Sequence, residues 1–223
     1  MGKYTKQEAI SIVTSCAQKY HMELDGKTLL FLCQNKHKQL SFFEFSFDGN
    51  NFLHLTGLKV SRRIFTKDVT TNQQTNPDEI SANEFYQKCL SKKLSPNDFE
   101  FADDGTTFLK LDVLPYIVSK NLSANAVADY NSRQPKLHTE KLAGSMKACI
   151  GFVADAKSGH YVPNTVLKED IRDISTNSVR VLAVYRKQRN DAFYAELTYK
   201  AKKVDWTSVT LPENLNYIVL PEE

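Results

Sequence analysis

The chain has 223 residues, 41% of them hydrophobic and 25% charged, proportions that suit a globular domain and exclude wholesale disorder and a long coiled coil. That length is enough to bury a core within one large domain. Net charge is only +3, yet residues 131–203 hold 14 Lys/Arg against 7 Asp/Glu while the rest holds 15 against 19, so the C-terminal half carries either an anionic ligand or a solvated basic face.

No apolar run approaches the ~18 residues needed to cross a bilayer. The start, MGKYTKQEAISIV, shows no signal-peptide core, and Lys6 stands where a myristoylation pattern wants Ser or Thr. A cytoplasmic protein without a membrane partner is the expectation. Cys16, Cys33, Cys89 and Cys149 are far apart, with no CxxC pair and no His at ligand spacing. Buried reduced thiols are expected, and neither zinc nor any other cofactor.

Lys6 to Tyr20 places Ala9, Ile10, Val13, Ala17 and Tyr20 at helical steps, with Thr5 and Glu8 as a capping box. Three apolar runs follow, at 28–34, 40–47 and 52–58, and read as strands. The last two are joined by a hairpin at Asp48–Gly49. Residues 66–80 read as a loop. A helix is expected from Ser81 to Leu90, then a short strand at 106–110, a helix at 111–119 and a polar linker over 120–136. The C-terminal half reads as mostly sheet, with one helical excursion at VLKEDIRDIS and two strong strands at 179–186 and 192–200. In the second of these, Tyr194, Glu196, Thr198 and Lys200 share one face. Trp206 and Tyr217 are expected to seal an edge.

Phosphate-loop, zinc-protease and hydrolase-elbow motifs are missing. The remaining scatter of His, Thr, Tyr, Lys and Arg suits a metal-independent ribonuclease, which needs a base for the ribose 2′-hydroxyl, an acid for the leaving 5′-oxygen and cations at the phosphate. The leading candidate is NFLHLTGLK at 51–59. On a strand, His54 and Thr56 share a face ~7 Å apart, a phosphate-sized spacing. His21 and His37 lie among polar turn residues, and His138 and His160 have no partner at motif spacing. A second candidate is GHYVPNTVLKEDIR at 159–172, where a helix starting at Pro163 or Asn164 would make Lys168 and Arg172 neighbours beside an anion pocket. In the third, Thr198, Lys200 and Lys202 lie on one face and either track a phosphate backbone or guard an edge strand.

Several blocks, taken in order, carry a resemblance: FLHLTGLK at 52–59, FYQKCLSKKLSPNDFEF at 85–101, FLKLDVLPYIV at 108–118, TEKLAGSMKACIGFV at 139–153, YVPNTVLKEDIR at 161–172 and LTYKAK at 197–202. Over about 50–202 the chain resembles the fourth type of phage barnase, EndoU, colicin and RelE-like nuclease domains. The resemblance implies an α+β fold with helices packed on an antiparallel β-sheet, and an RNA-cleaving activity. It points first to His54, Thr56 and Lys59, then to Asn164, Lys168, Tyr199 and Lys200.

The expected organisation is a helix and hairpin extension over 1–50, a nuclease-like domain over 51–203 and an edge segment over 204–223. The expected function is a metal-independent endoribonuclease of phage or mobile-element type. His54, Thr56, Lys59, Lys168, Tyr199 and Lys200 are the catalytic candidates, and Tyr161, Asn164, Arg172 and Lys202 the RNA-binding ones. RNA is the expected partner, with an antitoxin, immunity or host protein as a further one. The rival reading is a catalytically silent binder that uses the nuclease-like fold to inhibit a host protein or an RNA–protein complex.

Overall fold

The computed structural model of the chain describes residues 3–60, 80–131, 137–156 and 158–222. The loop expected at 66–80 falls outside them except for Ile80. Helix α1 (Lys6–Glu23) forms as its sequence predicts: Thr5 Oγ1 accepts from Glu8 N–H at 3.2 Å and the Glu8 carboxylate accepts from Thr5 N–H at 2.7 Å. Strands β1 (Lys27–Gln34) and β2 (Leu40–Ser46) also fall where expected and pair antiparallel.

The next element departs from expectation. Residues Phe52–Thr56 form a short helix, α2, preceded by a 3-10 turn that Asp48 caps by accepting from Asn50 N–H at 3.0 Å. The expected hairpin is absent because Phe52, Leu55 and Thr56 are buried at helical steps, with Phe52 packed between the rings of Tyr20 and Tyr86 at 5.3 and 5.4 Å. Gly57, at φ +69°, ends the helix in the left-handed region. A short strand, β3 (Lys59–Val60), pairs with β4 (Phe99–Glu100). Between them lies α3 (Ala82–Leu90), capped by Ser81 as expected.

Residues Thr106–Ile117 are one helix, α4, in place of the expected strand and following helix. Thr107, Leu111 and Leu114 are buried at helical spacing, and Pro115 sits in the last turn. The expected linker contains a strand, β5 (Ala126–Tyr130), followed by β6 (Lys141–Gly144) and β7 (Cys149–Ala154). Strand β8 (Tyr161–Leu167) replaces the helix expected from Pro163 or Asn164. Its proline is tolerated because the β7–β8 register shifts between Gly151 and Phe152, where Pro163 pairs. The chain then runs through β9 (Ser175–Gln188) to β10 (Glu196–Lys200). A register shift between Leu197 and Tyr199 breaks the expected alternation and buries Thr198.

The expected α+β arrangement of helices packed on an antiparallel sheet is overturned. Seven strands close into a mixed barrel in the order β1-β2-β8-β7-β6-β5-β9, and β9 returns to β1. The 14-residue length of β9 makes closure possible: Ser175 to Arg180 span the β5 pairing, while Arg180 to Gln188 pair with β1 and Ala183 to Arg186 with β10. Strand β2 runs parallel to β8 at the single pair Phe45–Tyr161, and the other described barrel pairings are antiparallel.

Leu29, Phe31 and Cys33 of β1 face one way, joining Phe45, Ile150, Phe152 and Val184 with the buried sides of all four helices in one core. Leu30 and Leu32 face the other way, where Leu182, Tyr185 and Tyr194 meet Trp206, Val209, Leu215 and Ile218 of the C-terminal segment. Trp206 therefore seals a sheet face. Each such fully buried side chain contributes about 1.5–3 kcal/mol, so β1, apolar on both faces, is the centre of the fold. All four cysteines are buried and free, and burial pushes the Cys16 thiol up to about 12. No helix among the described residues is long and apolar enough to cross a membrane.

Candidate functional site

On the face of β1 turned away from the helices, strand register sets the chemistry. Thr28 stands opposite Ser46 on one side and Lys187 on the other, and Leu30 stands opposite Glu44 and Tyr185. Side chains directly opposite on one face are neighbours. The turn before β8 adds His160: Asp155 accepts from Ser158 N–H at 3.1 Å and Oγ at 2.7 Å, and Gly159 takes φ +72°. This tight turn delivers His160 beside the end of β2.

His160 Nδ1 hydrogen-bonds Ser46 Oγ at 2.7 Å, and its Nε2 lies 3.5 Å from the Glu44 carboxylate. Ser46 Oγ in turn meets Thr28 Oγ1 at 2.9 Å. The Tyr194 hydroxyl donates to the other Glu44 oxygen, and the Lys187 ammonium sits 4.8 Å from the centroid of the Tyr194 ring. Burial, reinforced by the bond to Glu44, pushes the Tyr194 phenol well above its ordinary value, so it stays a donor. Glu44 and His160 keep 39% and 27% of their side-chain surface, so both are open to solvent. A carboxylate, an imidazole, three hydroxyls and an ammonium thus converge on one face, a set able to accept a proton, deliver one and offset phosphate charge.

The sequence-derived candidates lie elsewhere. His54 is exposed on α2, and its backbone carbonyl, not its ring, accepts from Lys110 Nζ at 3.0 Å. Thr56 is fully buried, donating to Leu53 O at 2.7 Å and accepting from Leu58 N–H at 3.1 Å. Lys59 pairs with Asp103 at 3.2 Å. Lys168 pairs with Asp112 of α4 at 2.7 Å. Tyr199 is half-buried against the main core, and Lys200 Nζ donates to the Glu222 carbonyl at 3.0 Å. Among the described residues, no hydrogen bond or ion pair joins any two of these six.

Of the RNA-binding candidates, Tyr161 packs its ring 5.9 Å from Phe45, and the Asn164 amide donates to the His138 carbonyl. Arg172 forks onto Asp170, while the Lys202 carbonyl accepts from Arg180 at 2.8 Å. The sequence reading missed Glu44, Ser46 and His160 as a set. A signal was present: Glu44 and Ser46, two apart in an apolar strand, share a face. Their partner histidine lies beyond any motif spacing. Among the described residues no group of three or more His, Cys, Asp or Glu is arranged to hold a metal ion.

Residues 12–203 match the model of the family described as phage-Barnase-EndoU-ColicinE5/D-RelE like nuclease4. The chain belongs to this family. The match takes in β1 and β2, and with them Glu44 and Ser46. It ends before the C-terminal segment that covers Leu30 and Leu182. No curated protein and no solved structure is matched by the chain.

Proposed function

We propose that this nuclease-like domain is a metal-independent endoribonuclease whose proton transfers run through Glu44 and His160. The observation that carries the reading is the pair itself, a carboxylate and an imidazole 3.5 Å apart and both open to solvent. The Glu44 carboxylate takes the proton of a ribose 2′-hydroxyl. The freed oxygen attacks the adjacent phosphorus, the bond to the 5′-oxygen breaks, and protonated His160 gives that oxygen its proton. Lys187 offsets the charge gathering on the phosphate, while Ser46 and Tyr194 hold His160 and Glu44 in place. The products are a 2′,3′-cyclic phosphate and a 5′-hydroxyl. The residue types support this reading, and the family supports a nuclease-like domain.

A second reading has its own observation. Strands β2 and β8 share a single registered pair, so His160 bonded to Ser46 also serves as a staple across that seam. On that reading the domain is a silent binder of a host protein or RNA–protein complex.

Incubation of purified protein with a single-stranded RNA in EDTA, followed by mass analysis of the product ends, separates the two. Cyclic phosphate ends that vanish in Glu44→Gln support the nuclease. Ends bearing 5′-phosphate and 3′-hydroxyl, or strict dependence on magnesium, sink the mechanism. Intact RNA under all conditions leaves the binder.

A further inference from the structure

At the end of β1 remote from Thr28, a cavity of about 590 Å³ opens between the turn after β1, the start of β5, the turn after β6, the turn after β8 and β9. Lys36, Lys38, Arg172 and Arg180 line it, with Met146 and Ile171 as its apolar wall. No carboxylate belongs to the lining among the described residues, but Arg172 is paired with Asp170 behind it, which leaves Lys36, Lys38 and Arg180 as the cations that carry the site. Its size falls within the range of sites for small ligands.

The cations are held in place by their surroundings. Asn35 Oδ1 accepts from His37 N–H at 2.9 Å and Gln39 N–H at 3.0 Å, which locks the turn that carries both lysines. Lys38 sits at φ 62°, a left-handed position that this network imposes on a residue with a Cβ. Neither the Lys36 nor the Lys38 ammonium has a hydrogen-bond partner among the described residues, so both remain free to meet an anion. Arg180 stands where β9 pairs with both Gln34 and Ala126, and one Nη donates to the Lys202 carbonyl at 2.8 Å, leaving the rest of its fork unspent.

We infer that this basic cavity is an anchor for the phosphodiester backbone of single-stranded RNA, with the exposed Met146 side chain against a base. The inference rests on the proposed endoribonuclease reading and extends it, because the anchor is remote from the proton-transfer pair. Thr28 and Gln34 are separated by six steps along β1, about 20 Å. A strand held at both places is longer than the bond being cut, so the anchor acts on affinity for long substrates and not on the chemical step.

The test measures binding of a labelled 16-nucleotide single-stranded RNA across a salt series, for wild type and Lys36→Ala/Lys38→Ala, with cleavage of a dinucleotide followed in parallel. The double variant is expected to bind at least tenfold more weakly, with a salt slope shallower by about 1.4, as two lost phosphate contacts require. Its dinucleotide cleavage stays at the wild-type rate. Arg180→Gln should weaken binding in the same way, and thermal melting confirms that each variant is folded. Unchanged affinity and slope in folded variants overturn the anchor, whether or not RNA is cut. Equal displacement of the RNA by poly-glutamate of matched charge also overturns it, since the cavity then selects charge alone. If wild type cuts no RNA while the slopes shift as expected, the anchor stands and the endoribonuclease reading fails.

Discussion

His160 Nε2 stands 3.5 Å from the Glu44 carboxylate across the seam where β2 runs parallel to β8. With one backbone pair in register there, side chains carry much of the join: His160 reaches Ser46 and Glu44, while Glu44 also receives the Tyr194 hydroxyl. The contact is thus able to serve chemistry, architecture or both. Kinetics and melting together separate those roles, because a proton-transfer group is missed in the rate and a staple in the stability.

His160→Ala and Glu44→Gln are each expected to lower RNA cleavage by about 10² to 10⁴, the usual loss for a general acid or base. His54→Ala is expected to cut at a rate within a few-fold of wild type. The His54 ring is exposed on α2 and makes no hydrogen bond among the described residues. Rate assays on all three, each paired with a thermal melt, decide the assignment. A hundredfold loss at His54 with full activity at His160 would return the chemistry to the HLTGLK block.

The elements legible in the sequence are those fixed locally. Thr5 and Glu8 name the start of α1, Ser81 that of α3, and the Leu/Phe runs of β1 and β2 name strands. The five residues of FLHLT fit both periods: Phe52, His54 and Thr56 alternate as in a strand, while Phe52, Leu55 and Thr56 step as in a helix. Packing of Phe52 between Tyr20 and Tyr86 decides between them, and no local window contains all three rings. Barrel closure was hidden for a related reason. It depends on β9 meeting β1 and β5 in register, a long-range pairing that turn chemistry does not encode. The candidate site inherits that blindness, since Glu44 and His160 meet only once β2 lies against β8.

Thr56→Val should destabilise the fold by about 1–3 kcal/mol with little effect on cleavage. The Thr56 hydroxyl is buried and serves two backbone groups, the Leu53 carbonyl and the Leu58 N–H, and valine leaves the latter unpaired. Denaturant melts and kcat on the same preparation check this. A large drop in kcat with unchanged stability would show Thr56 at the phosphate, as the sequence alone suggested.

Gly49→Ala is expected to cost about 1–3 kcal/mol through overpacking. A Cβ at position 49 would stand 2.6 Å from the Tyr86 ring, which is buried against Tyr20 and Phe52. The ring has no free space into which to retreat. A melting temperature equal to wild type would mean that the turn before α2 shifts freely.

Acid stability should depend on Asp112. Its burial favours the neutral acid, but hydrogen bonds from Lys168, Lys3 and the Tyr4 hydroxyl outweigh that and hold its carboxyl well below the usual range. A carboxyl depressed in the folded state contributes stability above its unfolded value near 4, and that contribution is lost as pH falls through the lower folded value. Wild type should therefore lose stability steadily below about pH 4. Asp112→Asn, which cannot titrate, should be less stable at neutral pH, where Lys168 and Lys3 lose their shared anion, and should show a shallower decline in acid. Lys168→Ala should reproduce part of that neutral-pH loss while leaving the salt slope of RNA binding nearly unchanged, since its charge is already held by Asp112 at 2.7 Å. Urea melts between pH 2 and 7 on the three proteins test the relation. Parallel pH curves for wild type and Asp112→Asn would show that this carboxylate is not linked to folding.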